Sequence, residues 1–248
     1  MSPTTNIEFL ECDHASLKSV EAAAIKFKSS NEQLDVLFCN AGIMALPAGL
    51  TKDGYELQFG TNHMSHALLL KHLLPVLAKS ADEGKDVRIV TTTSTGYLGA
   101  RGIAFADLKT PQNMIMGDWR RYFQSKLANI LNGQKVAELY PNIMSCIIQP
   151  GVVSTELIST LSWFNRTFVS LFSGGKSLTP EEGAYNMTWV ATTDRKNLKN
   201  GAFYEPVGWP GTMNQFSQDQ KLRDELWDWT QKELEEYPLQ IPINSPQE

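Results

Sequence analysis

A tyrosine and a lysine that stand four residues apart, Tyr122 and Lys126, have the clearest potential for acid–base chemistry. On a helix this spacing places both side chains on one face, one turn apart. A free tyrosine has a pKa of about 10 and is a poor acid or base at neutral pH. An adjacent ammonium lowers that pKa, so the pair can exchange a proton with a substrate oxygen. Because this spacing also occurs by chance, an ordinary helix face is the alternative.

Two further polar residues could support this pair. Ser94 ends a predicted β-strand at 87–94, and its hydroxyl could hydrogen-bond the same substrate oxygen. A strand-end hydroxyl without a chemical role is the alternative. Asn62, in Gly-Thr-Asn-His, could hold a helix bend or a water molecule that links Lys126 to solvent. The four residues together predict a site of proton transfer.

The elements that must position these residues alternate between strand and helix. Four apolar or β-branched runs predict strands, at 6–13, 34–42, 87–95 and 143–151. Three stretches with helical spacing lie between them, at 16–29, 55–80 and 118–139. Continuous hydrophobicity is typical of strands covered on both faces, as in a parallel sheet. We therefore expect an α/β, doubly wound, Rossmann-like fold in a single domain over 1–248.

Ligands of such sheets bind at the carboxyl ends of the strands. This rule places one group of residues on a single edge, namely Asp13, Asn40, Ser94 and Pro150-Gly151. Asp13 could instead be the N-cap of the following helix.

The pattern is looser after residue 151. The apolar, aromatic stretch 157–175 could be a helical lid over a pocket or a helix packed on the core, and both readings stay open. Pro180 begins a helix with acidic residues in its first turn, 201–211 predicts a last strand and loop, and 218–236 predicts an amphipathic helix. Residues 237–248 are expected to be a flexible tail.

Composition excludes several classes of protein. The net charge of -5 argues against nucleic-acid binding, which normally requires a basic excess. No apolar run reaches the ~18 residues of a membrane span, and the N-terminus lacks the pattern of a signal peptide. Three scattered cysteines predict neither a disulfide framework nor a zinc site. His63, His66 and His72 lack partners at metal-ligand spacing, so no metal is expected, and a cytoplasmic, reducing location is the default.

Several motifs occur in an order that resembles the short-chain dehydrogenases/reductases. They are Asn40-Ala-Gly42, Asn62, Ser94, Tyr122-x-x-x-Lys126 and Pro150-Gly151-x-Val153-x-Thr155. Three segments of the sequence are similar to the retinol-dehydrogenase and WW-domain-oxidoreductase-like branch, particularly its fungal members. They are FGTNHMSHALLLKHLLP, YFQSKLANIL and QPGVVSTEL. The resemblance covers about residues 6–208.

The resemblance implies a role for each matching residue. Tyr122 would be the general acid/base, Lys126 would lower its pKa and bind the nicotinamide ribose, Ser94 would position the carbonyl, and Asn62 would complete a proton relay. The implied cofactor contacts are Asp13 at the adenine ring, Asn40 and Gly42 beside the adenine ribose, Pro150, Gly151, Val153 and Thr155 under the nicotinamide, and Lys71 near the cofactor.

The chain departs from the family in its first residues. No two nearby glycines precede Asn40, whereas family members begin with a Gly-rich turn that holds the pyrophosphate. The expectation is an N-terminally incomplete fold that starts near the third strand, with roughly 40 to 60 residues missing, as judged from the size of a βαβ unit. An incomplete gene model, a degenerate paralogue and a short form completed by a partner are the three explanations.

The resemblance implies an NAD(P)-dependent oxidoreductase that interconverts a carbonyl and an alcohol, with NADP favoured and NAD not excluded. The substrate is expected to be small and apolar, with secondary metabolism as a setting by analogy and 97–119 lining the pocket mouth. A homodimer through 55–80 and 118–139 is expected. A non-catalytic, partner-binding remnant and an isomerase or epimerase on the same fold stay open as alternatives.

Overall fold

The computed structural model describes residues 6–154, 163–172 and 177–239. Within these ranges the sheet has five strands in the order β1 to β5. The strands are β1 (Val36–Cys39), β2 (Arg88–Thr92), β3 (Met144–Ile148), β4 (Phe203–Glu205) and β5 (Trp209–Pro210). The first four run parallel, and β5 returns antiparallel to β4. The carboxyl ends of β1, β2 and β3 therefore lie side by side.

Helices connect the strands. They are α1 (Leu17–Ser30), α2 (Leu57–Phe59), α3 (Ser65–Asp82), α4 (Gly117–Leu139), α5 (Trp163–Phe172), α6 (Pro180–Thr192) and α7 (Gln220–Glu233). A π-helical segment, Gly60–Met64, joins α2 to α3. The side chain of Ser16 caps α1, and a reciprocal capping box of Thr179 and Glu182 begins α6.

Both faces of the sheet are covered, which confirms the predicted Rossmann-like fold. On β2, Ile89 packs with Leu73 and Leu77 of α3, whereas the next residue, Val90, packs with Val190 of α6. Successive strand residues point to opposite faces, so a strand between two helical layers buries apolar side chains on both faces rather than on alternate positions alone. This requirement explains the continuous hydrophobicity of the predicted strands.

The strand expected at 6–13 is wrong. These residues are extended but join no ladder, and Ile7 and Phe9 are 87% and 90% exposed. A β-strand needs a hydrogen-bonded neighbour, and no described residue pairs with the outer edge of β1, where Phe38 is also exposed. The apolar pattern of 6–13 is a local signal, whereas strand formation depends on a partner.

The C-terminal helix α7 packs against α4 and the region around α3. Ion pairs join Asp224 to Lys135 and Arg223 to Glu138, and the Thr230 hydroxyl lies 3.0 Å from Nε2 of His63. Of the expected tail, Tyr237 donates to Asp53 at 3.3 Å, and 240–248 lie outside the described residues. Thus α7 covers part of the helical surface on which a dimer was expected.

Candidate active site

The predicted acid–base pair lies on one face of α4. The ammonium of Lys126 lies 5.7 Å from the centre of the Tyr122 ring, and both side chains are buried. The Ser94 hydroxyl lies close enough to the Tyr122 phenol to lower its pKa. Ser94 is held in turn, because its hydroxyl accepts from the Gly96 N–H at 3.1 Å where the chain leaves β2. The structure therefore brings together the phenol, the hydroxyl and the ammonium.

Burial dominates the electrostatics of this pair. It raises the pKa of Tyr122 to about 12, with the nearby Ser94 hydroxyl acting in the opposite direction. It lowers the pKa of Lys126 to about 8, so the ammonium is still the major form at pH 7. The lowered tyrosine pKa expected from the sequence is therefore not found, because burial disfavours the phenolate more than the Ser94 hydroxyl supports it.

Two residues that the sequence analysis missed hold Lys126 in place. The carbonyl of Thr92 accepts from the Lys126 ammonium at 3.4 Å and from the Asn129 amide at 3.0 Å. The Thr92 hydroxyl donates to the Asn40 side chain at 2.9 Å, which links β2 to the turn after β1. Asn129 stands three residues after Lys126 and so shares its helix face; that spacing was the signal available in the sequence.

Asn62 lies in the π-helical segment, where it satisfies the backbone of the turn after β1. Its side-chain oxygen accepts from the Ile43 N–H at 2.8 Å, and its amide donates to the Ile43 carbonyl and the Ser125 hydroxyl, both at 2.9 Å. A Cβ on Gly42 would lie 3.0 Å from the Asn62 oxygen and 3.4 Å from the Lys126 ammonium. Only a glycine lets the backbone approach both groups this closely.

Asp13 lies at the same edge but on the surface. Its carboxylate pairs with Lys52 at 2.7 Å, and this contact lowers the pKa of Asp13. The alternative of a helix N-cap is wrong, because Ser16 caps α1.

His14, the residue after Asp13, lies against His66, and His66 contacts the turn after β1. The rings of His14 and His66 are 4.7 Å apart, and Nε2 of His66 lies 2.8 Å from the Ala41 carbonyl. Burial lowers the pKa of His63 and His66 to about 3 and that of His72 to about 4, so all three are neutral at pH 7. Among the described residues, no group of His, Cys, Asp and Glu could hold a metal ion.

The loop after β3 is anchored to α6. Gly151 has a φ of +87°, and its N–H donates to the Gln149 side chain at 2.8 Å. The Asn186 amide fixes the Gln149 carbonyl at 2.8 Å, and Val153 forms a parallel bridge with Leu178. The backbone after Pro150 is thus held at the carboxyl end of β3. Thr155 lies outside the described residues.

Lys71 does not lie near Ser94, Tyr122 and Lys126 at the carboxyl ends of the strands. Its ammonium donates to the Leu234 carbonyl after α7 at 2.7 Å, on the surface of α3 that faces α7. The sequence analysis placed it near the cofactor by family resemblance, whereas α3 directs this position toward the C-terminal helix.

Apolar side chains surround the Tyr122 phenol. Met44, Ala45 and Trp119 are buried with it, and Phe123 and Val169 of α5 pack against them. A cavity of about 550 Å³ next to Trp119 and Phe123 is lined by Ala100, Ile103 and Met116. The segment 97–119 thus lines a cavity as expected. Val169 brings the described part of 157–175 against Tyr122, whereas Trp163 is 81% exposed.

The residues present fit one half of a nicotinamide dinucleotide. An ammonium has three N–H donors, and the Lys126 ammonium is buried beside Gly42 with the Thr92 carbonyl as a distant acceptor. It therefore has donors left for ribose hydroxyls. The fit is confined to the edge formed by Asn40, Ser94, Lys126 and Gly151.

Comparisons with known proteins point in the same direction. No family model matches the chain. A short-chain dehydrogenase/reductase of Aspergillus calidoustus is 34% identical over 254 residues, which cover 96% of this chain and 80% of that protein. The polyprenol dehydrogenase of Homo sapiens is 31% identical, with 89% and 67% covered. The NADPH-bound carbonyl reductase from chicken fatty liver has the same fold, with a TM-score of 0.57 and 24% identity over 82% of this chain and 76% of that one.

Proposed function

The chain belongs to the short-chain dehydrogenase/reductase family, and we propose that it interconverts a carbonyl and an alcohol with NADP as the cofactor. NAD(P)-dependent oxidoreduction is the general activity of this family. The observation that carries the finer proposal is the buried Lys126 ammonium 5.7 Å from the centre of the Tyr122 ring, with the Ser94 hydroxyl at the turn against which that ring packs. This arrangement can orient one oxygen atom and transfer one proton to it.

Each residue of the proposed site has one task. When bound, the nicotinamide would supply or accept the hydride at the substrate carbon. Tyr122 donates its phenolic proton to the oxygen in reduction and takes that proton back in oxidation. Ser94 fixes the direction of the oxygen, and Lys126 binds the ribose hydroxyls. Because the pKa of Tyr122 is raised to about 12, the phenol is protonated at pH 7, which is the form that donates a proton in reduction.

The substrate is proposed to be apolar. Trp119, Phe123 and Met44 surround the phenol, and apolar walls bind apolar carbonyl compounds by removing their surface from water. One relative is named a polyprenol dehydrogenase, so a lipid-like alcohol lies within the range of this family. A role in secondary metabolism rests on the resemblance to fungal members.

The choice of NADP rests on analogy with the branch that the chain resembles, since solved structures of this fold hold NADPH or NADH. NAD stays an alternative. A cytoplasmic location and a homodimer also stay proposals. No helix in the described ranges is long and apolar enough to cross a bilayer. Since α7 covers part of α4, a dimer would have to use the surfaces of α3 and α4 that α7 leaves open.

The first test is a titration of the purified chain with NADPH and with NADH, followed by thermal shift. Saturable stabilisation is expected, because a ligand that binds the folded state raises its apparent stability. NADPH should stabilise at lower concentration than NADH. No stabilisation by either nucleotide would favour a non-catalytic remnant, whose support is the lack of two nearby glycines before Asn40. Net oxidation of NADPH during turnover would exclude an isomerase or epimerase.

A further inference from the structure

The residue before Tyr122 is a buried arginine that joins two loops. One guanidinium nitrogen of Arg121 donates to the Gln112 carbonyl at 2.9 Å, and another donates to the Leu46 carbonyl at 2.8 Å. Its third nitrogen, Nε, lies 3.3 Å from the Glu56 carboxylate, as an ion pair. The side chain is only 3% exposed. The rigid fork of a guanidinium holds two carbonyls at a fixed separation through two different nitrogens, whereas the donors of a lysine share one nitrogen.

The partner of Arg121 is itself fixed. Glu56 is fully buried and accepts from the N–H groups of Gln58 and Phe59 at the start of α2, at 3.0 and 2.7 Å. The Gln58 side chain accepts from the Ala45 N–H and donates to the Asp118 carbonyl, both at 2.8 Å. Arg121, Glu56 and Gln58, here called the clasp, thus attach the loop 43–48 and the loop 112–116 to α2 and α4.

Both loops need such attachment. Three non-glycine residues in the described ranges have a positive φ, and they are Ala45, Gln112 and Met116, at 50°, 48° and 53°. The left-handed region is unfavourable for side chains with a Cβ and persists where the surroundings enforce it. Ala45 is held through its N–H and Gln112 through its carbonyl, in each case by the clasp.

The two loops also form the walls of the site. Met44 and Ala45 of the first loop pack against Trp119 and Tyr122. Leu46 and Met114 from opposite loops line a cavity of about 520 Å³ that Arg121 itself borders. The distance between the loops therefore sets the width of this cavity, whose lining residue Ala45 packs in one cluster with Tyr122.

We propose that Arg121 is a positioning residue that sets substrate specificity, because its guanidinium fixes the spacing of the loops 43–48 and 112–116 on either side of Tyr122. The inference rests on the proposed carbonyl–alcohol activity. Arg121 touches neither substrate nor cofactor and acts through the loops. It determines which apolar carbonyl compounds fit, and it leaves the proton transfer to Tyr122.

The test compares Arg121→Lys with Arg88→Lys. Arg88 is a matched control, because it is also buried and donates to two backbone carbonyls, those of Val190 and Thr193, both at 2.7 Å. It lies on β2 at the opposite end of the sheet. NADPH-dependent reduction of benzaldehyde and of the larger 2-naphthaldehyde is measured, together with hydrogen exchange of the loops.

In Arg121→Lys we expect the ratio of kcat/KM for the two aldehydes to change about tenfold, through KM. The pH profile of kcat should stay unchanged, and amide exchange should rise in 43–48 and 112–116. Arg88→Lys should lower the melting temperature and leave the ratio unchanged. Equal ratios and equal loop exchange in both variants would overturn the proposal.

Two outcomes separate this inference from the proposed function. If the wild-type chain reduces neither aldehyde, the proposed function fails for these probes, and hydrogen exchange alone decides the role of Arg121. Loss of protection confined to the two loops supports the clasp, and uniform or absent loss contradicts it. If Arg121→Lys does not fold, Gln58→Leu replaces it and should raise amide exchange at Ala45, whose N–H loses its acceptor, while 112–116 stays protected by Arg121.

Discussion

The two ends of the parallel sheet both bury cations, but they do so differently. At the amino end of β2, Arg88 is saturated by the Val190 and Thr193 carbonyls and the Asp86 carboxylate, which Arg195 also contacts. At the carboxyl end, the Lys126 ammonium has a carbonyl at 3.4 Å. Removal of a buried charge whose donors are saturated leaves its partners unpaired and destabilises the fold. A buried charge with spare donors costs stability and is available to a ligand, so the comparison separates a structural cation from a functional one.

The largest effect is expected at the functional end, from Tyr122→Phe. The variant keeps the aromatic packing and removes the hydroxyl that exchanges the proton, so kcat/KM should fall by about 10²- to 10⁴-fold. Steady-state kinetics with NADPH and benzaldehyde measure this loss. Tyr185→Phe is the control, because Tyr185 is 49% exposed on α6, and it should keep the wild-type rate. Full activity in Tyr122→Phe would remove the assigned role.

The next effect is expected at the structural end, from Arg88→Met. The substitution leaves the buried Val190 and Thr193 carbonyls without their donors, so the free energy of unfolding should fall by about 2–3 kcal/mol. Urea unfolding measures this change, and the activity of the folded fraction should stay at the wild-type value. Wild-type stability in Arg88→Met would show that the saturated cation does not stabilise the fold.

The sequence predicted most of the sheet and the central site. The strands at 34–42, 87–95 and 143–151 and the helix at 118–139 were predicted, because their hydrophobic patterns report local burial. The site residues Ser94, Tyr122 and Lys126 were found through spacing and resemblance, and the structure brings them together; their catalytic roles stay predictions.

What the sequence could not show depends on partners distant along the chain. The segment 6–13 has a strand pattern but no strand to pair with among the residues that the structure describes. Lys71 has the residue type of a cofactor ligand, yet its partner is a carbonyl 163 residues away. Arg121 and Glu56 are 65 residues apart, and nothing in their spacing predicts the clasp. Burial also reversed the expected pKa direction at Tyr122, since desolvation depends on the packed environment.

Lys126→Met should have the opposite sign from Arg88→Met. Since burial lowers the pKa of Lys126 from 10.5 to about 8, the folded state binds this proton less tightly than the unfolded state does, and charging the lysine costs stability. Its removal should therefore stabilise the chain at pH 7 by about 1–2 kcal/mol while activity is lost.

The pH dependence gives the control for this prediction. The stability of the wild type relative to Lys126→Met should rise as the pH rises from about 8 to 10.5, where the lysine of the unfolded state also loses its proton. Urea unfolding of both proteins at pH 7 and pH 10 measures the difference. If Lys126→Met is less stable than the wild type at pH 7, Lys126 stabilises the fold as Arg88 does, and the prediction is wrong.

The smallest effect is expected from Thr92→Val, which tests how the sheet edge orients Lys126. The variant keeps the Thr92 carbonyl that contacts Lys126 and removes the hydroxyl that donates to Asn40 at 2.9 Å. Loss of one buried hydrogen bond should cost about 1 kcal/mol. Because Asn40 begins the turn that contains Gly42, the NADPH affinity should weaken by a similar free energy, about fivefold.

The matched control is Thr192→Val, which removes an exposed hydroxyl that donates to the Thr188 carbonyl within α6. It should change neither stability nor affinity by a measurable amount, because water replaces an exposed hydrogen bond. If Thr92→Val binds NADPH as the wild type does, the Thr92–Asn40 contact belongs with the structural bonds at the other end of the sheet. If Thr92→Val binds NADPH more weakly without a matching loss of stability, the Thr92–Asn40 hydrogen bond serves cofactor binding, because it then orients the turn after β1 for the ligand and contributes little to the fold.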